Sequence, residues 1–169
     1  DKHKVEGWSY EDTMAAVKKS FEEAIDAGYD LIHVDPTIDI TIPKDEIIDI
    51  DVVAERTLEL IVHCEKYRRG KGYDKISYEV GTEEVHGGLA NMKVFNRFLE
   101  LLRDGLKNKN LQDVWPCFVV GKVGTDLHTT LFDPVVAKQL TEVAQQYGSK
   151  IKGHYSDNVE NPEQYPLSG

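Results

Sequence analysis

A short apolar stretch runs into a cluster of polar and ionisable residues four times in this 169-residue chain, and amphipathic helical patterns separate the four repeats. The polar clusters cover residues 33–37, 79–88, 124–130 and 153–157. Helices and strands that alternate with short connections predict a parallel sheet with right-handed crossovers. Because all strands of such a sheet point the same way, the polar residues past their carboxyl ends should converge on one rim, where these folds build their sites.

The apolar periodicity predicts four helices and four strands. Ser9 can cap the first helix and Gly28 can end it. The second helix covers about 51–69, the third starts near Asn91, and the fourth begins at Pro134 and stops before Gly148. The predicted strands cover 31–34, 75–80, 117–120 and 150–154.

The order α-β-α-β-α-β-α-β favours one α/β domain over residues 1–169. The glycine pair Gly87-Gly88 lacks the spacing of the dinucleotide fingerprint, which disfavours a Rossmann-like sheet. A (β/α)8 TIM barrel needs eight such units in ~250 residues, so the sequence predicts about half of a barrel, incomplete at both ends. Its outer strands would expose unpaired backbone groups, so we expect a missing half, a partner chain or a homo-oligomer.

The amino-acid composition limits the classes of molecule that the chain is expected to bind and the compartment in which it is expected to act. A net charge of -10 disfavours nonspecific binding to nucleic acid, which relies on clustered Lys and Arg. The basic run 66–71 lies at a predicted helix end, where cations complement the helix dipole, so we interpret it as structural. No apolar stretch approaches the ~20 residues of a membrane-spanning helix, and no membrane association is expected. The two cysteines, Cys64 and Cys117, are both predicted to be buried, which indicates a reducing, cytoplasmic location.

Several motifs carry a resemblance to a known family. Residues 76–83, Ile-Ser-Tyr-Glu-Val-Gly-Thr-Glu, with Gly87-Gly88 beyond them, resemble the Ser-Tyr-x-x-Gly-Thr-Glu motif and glycine pair of the accessory, non-catalytic subunits of class II D-tagatose-bisphosphate aldolase, once labelled tagatose-6-phosphate kinases. Residues 32–35 are similar to that family's Ile-His-Leu-Asp strand end. Residues 119–128 match a segment of equal length without a gap, and 153–157 resemble its Ala-His-Ser-Thr-Asp segment.

The resemblance implies a (β/α)8 barrel related to class II aldolases, which use a divalent metal to polarise a ketose carbonyl or stabilise an enediolate. It also implies either catalysis on a ketose phosphate or support of a separate catalytic chain. The chain departs from the family in the loop after Glu83, which is shorter and is not proline-rich, and no acidic residue follows Gly88. That loop shapes the rim, so the identity of the sugar does not carry over.

Two histidines are the candidate ligands of zinc or a similar divalent metal. His128 corresponds to a family position that is a metal ligand in the wider superfamily, and Asp126 or Thr129 can hold its second ring nitrogen. His154 ends its predicted strand with Asp157 nearby. Two histidines and a carboxylate would leave one coordination position open for substrate. The alternative is that each histidine is a solvated or capping loop residue.

Two carboxylates are the candidate catalytic groups. Glu83 can act as acid or base if burial raises its pKa, or it can pair with Lys93 or Arg97. Asp35 can bind a substrate hydroxyl, or it can cap an Asx-type turn before Thr37. Glu79 is a second-rank candidate, because the face to which it points relative to Glu83 depends on how far the strand continues. The candidate substrate-binding residues are Lys122, Asp126, Ser156 and Asp157. Lys122 can meet a phosphate or form a Schiff base, or it can be solvated.

The sequence therefore predicts metal-assisted aldol cleavage or epimerisation of a ketose phosphate of the tagatose or fructose type. The alternative is a non-catalytic subunit that stabilises an aldolase partner. No Gly-x-Ser-x-Gly nucleophile turn and no phosphate-binding Gly-Lys-Ser/Thr turn occurs, which disfavours a serine hydrolase and a P-loop kinase.

Overall fold

The computed structural model describes residues 7–37, 39, 48–81, 90–125 and 131–168. Four α-helices and four β-strands alternate along the chain. The helices are α1 (Tyr10–Asp26), α2 (Ile50–Lys71), α3 (Met92–Asn108) and α4 (Pro134–Gln146), and the strands are β1 (Leu31–Val34), β2 (Ser77–Gly81), β3 (Phe118–Val120) and β4 (Lys150–Lys152). Two short 3-10 helices, Gln112–Val114 and Pro162–Leu167, complete the described elements. The predicted order of helices and strands is confirmed.

The four strands form one sheet in the order β1-β2-β3-β4, and every neighbouring pair is parallel. Right-handed crossovers between successive neighbours in this order place every connecting helix on the same face of the sheet. In agreement, α1 contacts α2, α2 contacts α3, and α3 contacts α4, so the helices form one continuous layer. We call the side of the sheet under this layer the helix face, and the opposite side the open face.

Each α-helix begins at a residue whose side chain satisfies free backbone N–H groups. Ser9 and Asp12 form a reciprocal capping box at α1, as the sequence predicts for Ser9. Asp49 caps α2, Asn91 caps α3, and Asp133 caps α4, where Pro134 is the first helical residue. The local sequence therefore sets where the four helices begin.

The core lies between the helix layer and the sheet. Alternate strand residues Ile32, Val34, Tyr78, Val80 and Val119 are buried there. Helix α3 contributes a stripe of fully buried apolar side chains at spacings of three and four, namely Phe95, Phe98, Leu99, Leu102 and Leu106. This packing follows directly from a period of two in the strands and 3.6 in the helices.

A polar network sits within this core. Glu65 of α2 accepts hydrogen bonds from Arg68 Nη2 at 2.6 Å, from Arg69 Nε at 2.8 Å and from Tyr78 Oη at 3.0 Å. Burial pushes the pKa of Glu65 upward, but the hydrogen bonds from Arg68, Tyr78 and Arg69 outweigh it and leave the pKa lowered. Burial likewise raises the pKa of Tyr78. The structural interpretation of the basic run is thus confirmed for Arg68 and Arg69.

The structure corrects three local predictions. Strand β4 ends at Lys152 instead of residue 154, because the chain turns away through Tyr155 and Asn158, which both have positive φ. The 3-10 helix Pro162–Leu167 was not predicted. Cys64 is buried as expected, with burial raising the pKa of its thiol to about 12, but Cys117 precedes β3 and is only partly buried.

Candidate functional site

A cluster of ionisable side chains lies on the open face of the sheet. Glu79 in the middle of β2 is at the same level as His33 of β1, because the two residues are paired in the parallel register. Paired residues of neighbouring parallel strands project from the same face of the sheet. Val34 and Tyr78 are buried under the helix layer, so their sequence neighbours His33 and Glu79 project from the opposite face. Lys152 ends β4 and reaches the same group. We call Glu79, His33, Lys152 and His154 the Glu79 cluster.

Glu79 is the buried centre of this cluster. Lys152 Nζ donates to Glu79 Oε1 at 2.9 Å and to Oε2 at 2.8 Å. His33 Nδ1 lies 2.8 Å from Glu79 Oε1. The Glu79 side chain is 2% exposed, whereas those of Lys152 and His33 are 48% and 42% exposed. A buried carboxylate is therefore presented to solvent through two partly exposed partners, an ammonium and an imidazole.

His154 completes the cluster from beyond β4. Its Nε2 atom lies 3.7 Å from Glu79 Oε1, and its ring centroid lies 5.6 Å from that of His33. Thr125 Oγ1 donates to the carbonyl oxygen of His154 at 2.7 Å, which joins the segment after β3 to the segment after β4. The position of the His154 backbone therefore depends on a second strand end.

The short distance between the two histidines shows that side chains of the outer strands converge. The rings of His33 and His154 lie 5.6 Å apart, and both approach Oε1 of Glu79, although β1 and β4 are the outer strands of the described sheet. Polar groups from separate strands therefore meet at His33, Glu79, Lys152 and His154, whereas the predicted meeting of Glu83 and His128 with His154 stays a prediction.

Asp35 lies at the rim of the same face. Its Oδ1 atom accepts a hydrogen bond from the backbone N–H of Thr37 at 3.0 Å and another from the Thr37 hydroxyl. This geometry is the Asx-type turn that the sequence allowed. Asp35 Oδ2 lies against Gly81, at 2.5 Å from where a Cβ would stand. A side chain at position 81 would therefore displace the Asp35 carboxylate, and the catalytic role of Asp35 stays a prediction.

The other described candidates lie on the two segments that follow β3 and β4. Lys122 is half-buried, and Ser156 and Asp157 are exposed in the turn that carries Tyr155 and Asn158. Gly124 allows the chain to turn after β3, since its φ is +98° and a Cβ would stand 2.8 Å from the Leu131 carbonyl oxygen. The substrate-binding roles of these residues stay predictions.

Three predicted site residues, Glu83, Asp126 and His128, lie outside the described residues. Of the pairing partners considered for Glu83, Arg97 forms an ion pair with Asp51 at 2.8 Å. The acid–base role of Glu83 and the metal-binding role of His128 therefore stay predictions.

The fit of a divalent metal can be tested on the described part of the cluster. Within the described ranges, no group of three or more His, Cys, Asp or Glu side chains is arranged to hold a metal ion. His33, Glu79 and His154 come nearest to such a set, but the Lys152 ammonium contacts both carboxylate oxygens that a cation would need. On their own, these residues suit proton transfer and anion binding better than coordination.

The sequence patterns did not single out His33 or Lys152, and they favoured Glu83 over Glu79. The available signal was a charged residue inside an apolar strand, Glu79 between Tyr78 and Val80, because such a residue stays buried only with a partner. Its partners are far away in sequence, so only the order and register of the strands identify them.

Comparison with known proteins adds no assignment, since no protein-family model matches the chain and no curated protein sequence matches it significantly. Among the described helices, none has the length and apolar composition required to cross a bilayer.

Proposed function

We propose that this chain contributes half of a (β/α)8 barrel that acts on a ketose phosphate, by aldol cleavage or by epimerisation. The observation that carries the proposal is the Glu79 cluster, which gathers a buried carboxylate, an ammonium and two imidazoles on the open face near the carboxyl ends of parallel strands. Barrels of this class place their chemistry at that end. The singly wound order β1-β2-β3-β4 further supports a barrel, because it places the described connecting helices on one face of the sheet.

The chemistry of the cluster suits an open-chain sugar. Imidazoles can move protons from hydroxyl or carbon acids, and the Lys152 ammonium can stabilise a developing oxyanion or bind a phosphate. Aldol cleavage and epimerisation through cleavage and re-addition both begin with removal of a hydroxyl proton and both form an enediolate. One set of groups can therefore serve either reaction, and the resemblance of residues 76–83 to the aldolase-associated family points to tagatose- or fructose-type substrates.

One observation favours the alternative, a non-catalytic subunit that stabilises an aldolase partner. Both Glu79 oxygens already accept hydrogen bonds from Lys152, so the cluster can also act as a structural ion pair that closes the open face. The outer strands β1 and β4 each lack a second neighbour within the described sheet, which supports a partner subunit or a homo-oligomer. The two free cysteines support a cytoplasmic location.

An assay of the chain with fructose and tagatose 1,6-bisphosphates and their 6-phosphates tests the proposal. Triose phosphate release reports cleavage, and formation of the fourth-carbon epimer reports epimerisation. We expect turnover that falls about 100-fold or more in Lys152→Met, as for loss of an oxyanion-stabilising group. The exposed Lys19→Met serves as the matched control and should leave turnover unchanged.

Parallel assays with added Zn²⁺ and with a chelator test the predicted metal. If the wild-type chain turns over no ketose phosphate in either condition but raises the thermal stability of a class II aldolase chain, the non-catalytic alternative replaces the catalytic proposal. A sedimentation measurement that gives only monomer would contradict the proposed homo-oligomer.

A further inference from the structure

The two ring nitrogens of His33 have different surroundings. Nδ1 lies 2.8 Å from Oε1 of the buried Glu79, and the side chain keeps 42% of its surface exposed. No hydrogen bond or ion pair joins Nε2 to any part of the chain that the structure describes. Nδ1 therefore contacts the protein, whereas Nε2 has no hydrogen-bond or ion-pair partner among the described residues.

The Glu79 contact determines which nitrogen carries the proton. An unprotonated Nδ1 would set its electron pair against a carboxylate oxygen only 2.8 Å away, so the contact favours the proton on Nδ1. A neutral imidazole has one N–H, which leaves Nε2 with an unshared electron pair. Lys152 Nζ contacts both oxygens of Glu79, so the carboxylate has a cationic partner besides His33.

We propose that His33 is the proton acceptor of this site, through Nε2, and that Glu79 is a positioning residue that fixes the tautomer of His33. The acceptor role rests on the proposed ketose reaction, whereas the tautomer does not. His33 was absent from the candidates that sequence patterns supplied, and among the described histidines it makes the shorter of the two contacts with the buried Glu79 carboxylate, 2.8 Å against 3.7 Å for His154.

The step balances without a further reactant. Nε2 takes the proton of the hydroxyl on the fourth carbon, and the O–H electron pair forms the aldehyde carbonyl. The bond between the third and fourth carbons breaks, its electrons form the carbon–carbon double bond of the enediolate, and the ketose carbonyl electrons move onto oxygen. Lys152 supplies positive charge for that oxygen. The His33 imidazolium then returns its proton to the enediolate carbon on cleavage, or to the re-formed hydroxyl oxygen on epimerisation.

The chain contains a matched control for the tautomer. His63 also contacts a carboxylate, Glu22 Oε1, at 2.8 Å, but it does so through Nε2. By the same reasoning its proton lies on Nε2. His33 and His63 should therefore show opposite tautomers in one sample.

Nitrogen-15 NMR of the imidazole rings tests the geometry without any substrate. We expect the Nδ1–H tautomer at His33 and the Nε2–H tautomer at His63, with assignments from His33→Asn and His63→Asn. Glu79→Gln keeps an acceptor oxygen and should retain the His33 tautomer, whereas Glu79→Met removes it and should release the proton to Nε2. An Nε2–H tautomer at His33 in the wild-type chain overturns the inference.

Chemical modification and kinetics test the acceptor role. Diethyl pyrocarbonate acylates the free imidazole nitrogen, so His33 should be labelled, as read by mass spectrometry, and an unlabelled His33 overturns the inference. With substrate, His33→Asn should lower kcat about 100-fold or more with little change in KM, and added imidazole should partly restore His33→Ala. Full turnover in His33→Asn overturns the acceptor role. A wild-type chain that shows the expected tautomer and label but converts no ketose phosphate contradicts the proposed substrate instead.

Discussion

Two buried carboxylates lie on opposite sides of the sheet, and their partners differ in origin and in exposure. Glu65, 1% exposed under the helix layer, is held by Arg68 and Arg69 of its own helix and by Tyr78. Glu79, 2% exposed on the open face, is held by His33 and Lys152 from two other strands. Two of the three Glu65 partners are shielded, Arg68 at 10% exposure and Tyr78 at 0%, and only Arg69 is 45% exposed, whereas His33 and Lys152 are both more than 40% exposed.

The contrast separates a structural network from a candidate site. The Glu65 network closes locally, with partners three and four residues along one helix, and most of its donors are shielded from water. The Glu79 cluster depends on strand register and is open to solvent. Buried charge alone therefore does not identify a site here; the origin and the exposure of the partners do.

We expect the largest difference between the two faces of the sheet when a packed aromatic side chain is truncated and the loss in free energy of unfolding is measured. Phe98 is fully buried in α3, so Phe98→Ala should lower the free energy of unfolding by about 3–5 kcal/mol. Phe118 is half-buried on the open face at the level of Glu79, so Phe118→Ala should lower the free energy of unfolding by about half as much. Urea unfolding followed by circular dichroism measures both. Equal losses would mean that the open face is packed as tightly as the helix face.

The two carboxylates themselves give the next largest effect. Glu65→Gln leaves the shielded Arg68 without its charged partner, and we expect a loss of about 3 kcal/mol in the free energy of unfolding. Glu79→Gln leaves Lys152 and His33 free to be hydrated, so we expect about 1 kcal/mol or less. Urea midpoints of the two variants against the wild type check the order. A larger loss in Glu79→Gln would contradict the assignment of Glu65 as the structural member.

The pH dependence of unfolding gives a further test of the Glu65 network. The pKa of Glu65 is lowered in the folded chain because hydrogen bonds from Arg68, Tyr78 and Arg69 outweigh the effect of burial. A lowered folded pKa contributes stability above the unfolded value of about 4.3, and this contribution is lost as pH falls through the folded pKa. The stability gap between wild type and Glu65→Gln should therefore shrink as pH falls below about 4.3. A gap that is constant or that widens on acidification would contradict the network.

The sequence was sufficient to predict the helix layer but not the site. Ser9 and Asp133 were readable as caps and Asn91 as the start of α3, because capping depends on residues two or three positions away. Strand order followed from the alternation of elements. The pairing of Glu79 with Lys152 spans 73 positions and depends on the order and register of the strands, which no local pattern encodes. The strand-end rule favoured residues past the strands over His33 and Glu79 within them.

The smallest expected effect comes from removing the hydroxyl group of a buried threonine, either Thr125 beside the Glu79 cluster or Thr57 within α2. Thr125 donates to the His154 carbonyl oxygen at 2.7 Å, and Thr57 donates to the Val53 carbonyl oxygen at 2.8 Å within α2. The Val53 carbonyl keeps its helical N–H partner when the hydroxyl is removed, so Thr57→Val should be nearly neutral. The Thr125 hydroxyl joins two segments distant in sequence, so Thr125→Val should cost about 1 kcal/mol. It should also shift the NMR signals of His154 while leaving those of His63 unchanged. Equal costs, or an unmoved His154, would show that the Thr125 contact does not hold the rim of the Glu79 cluster in place.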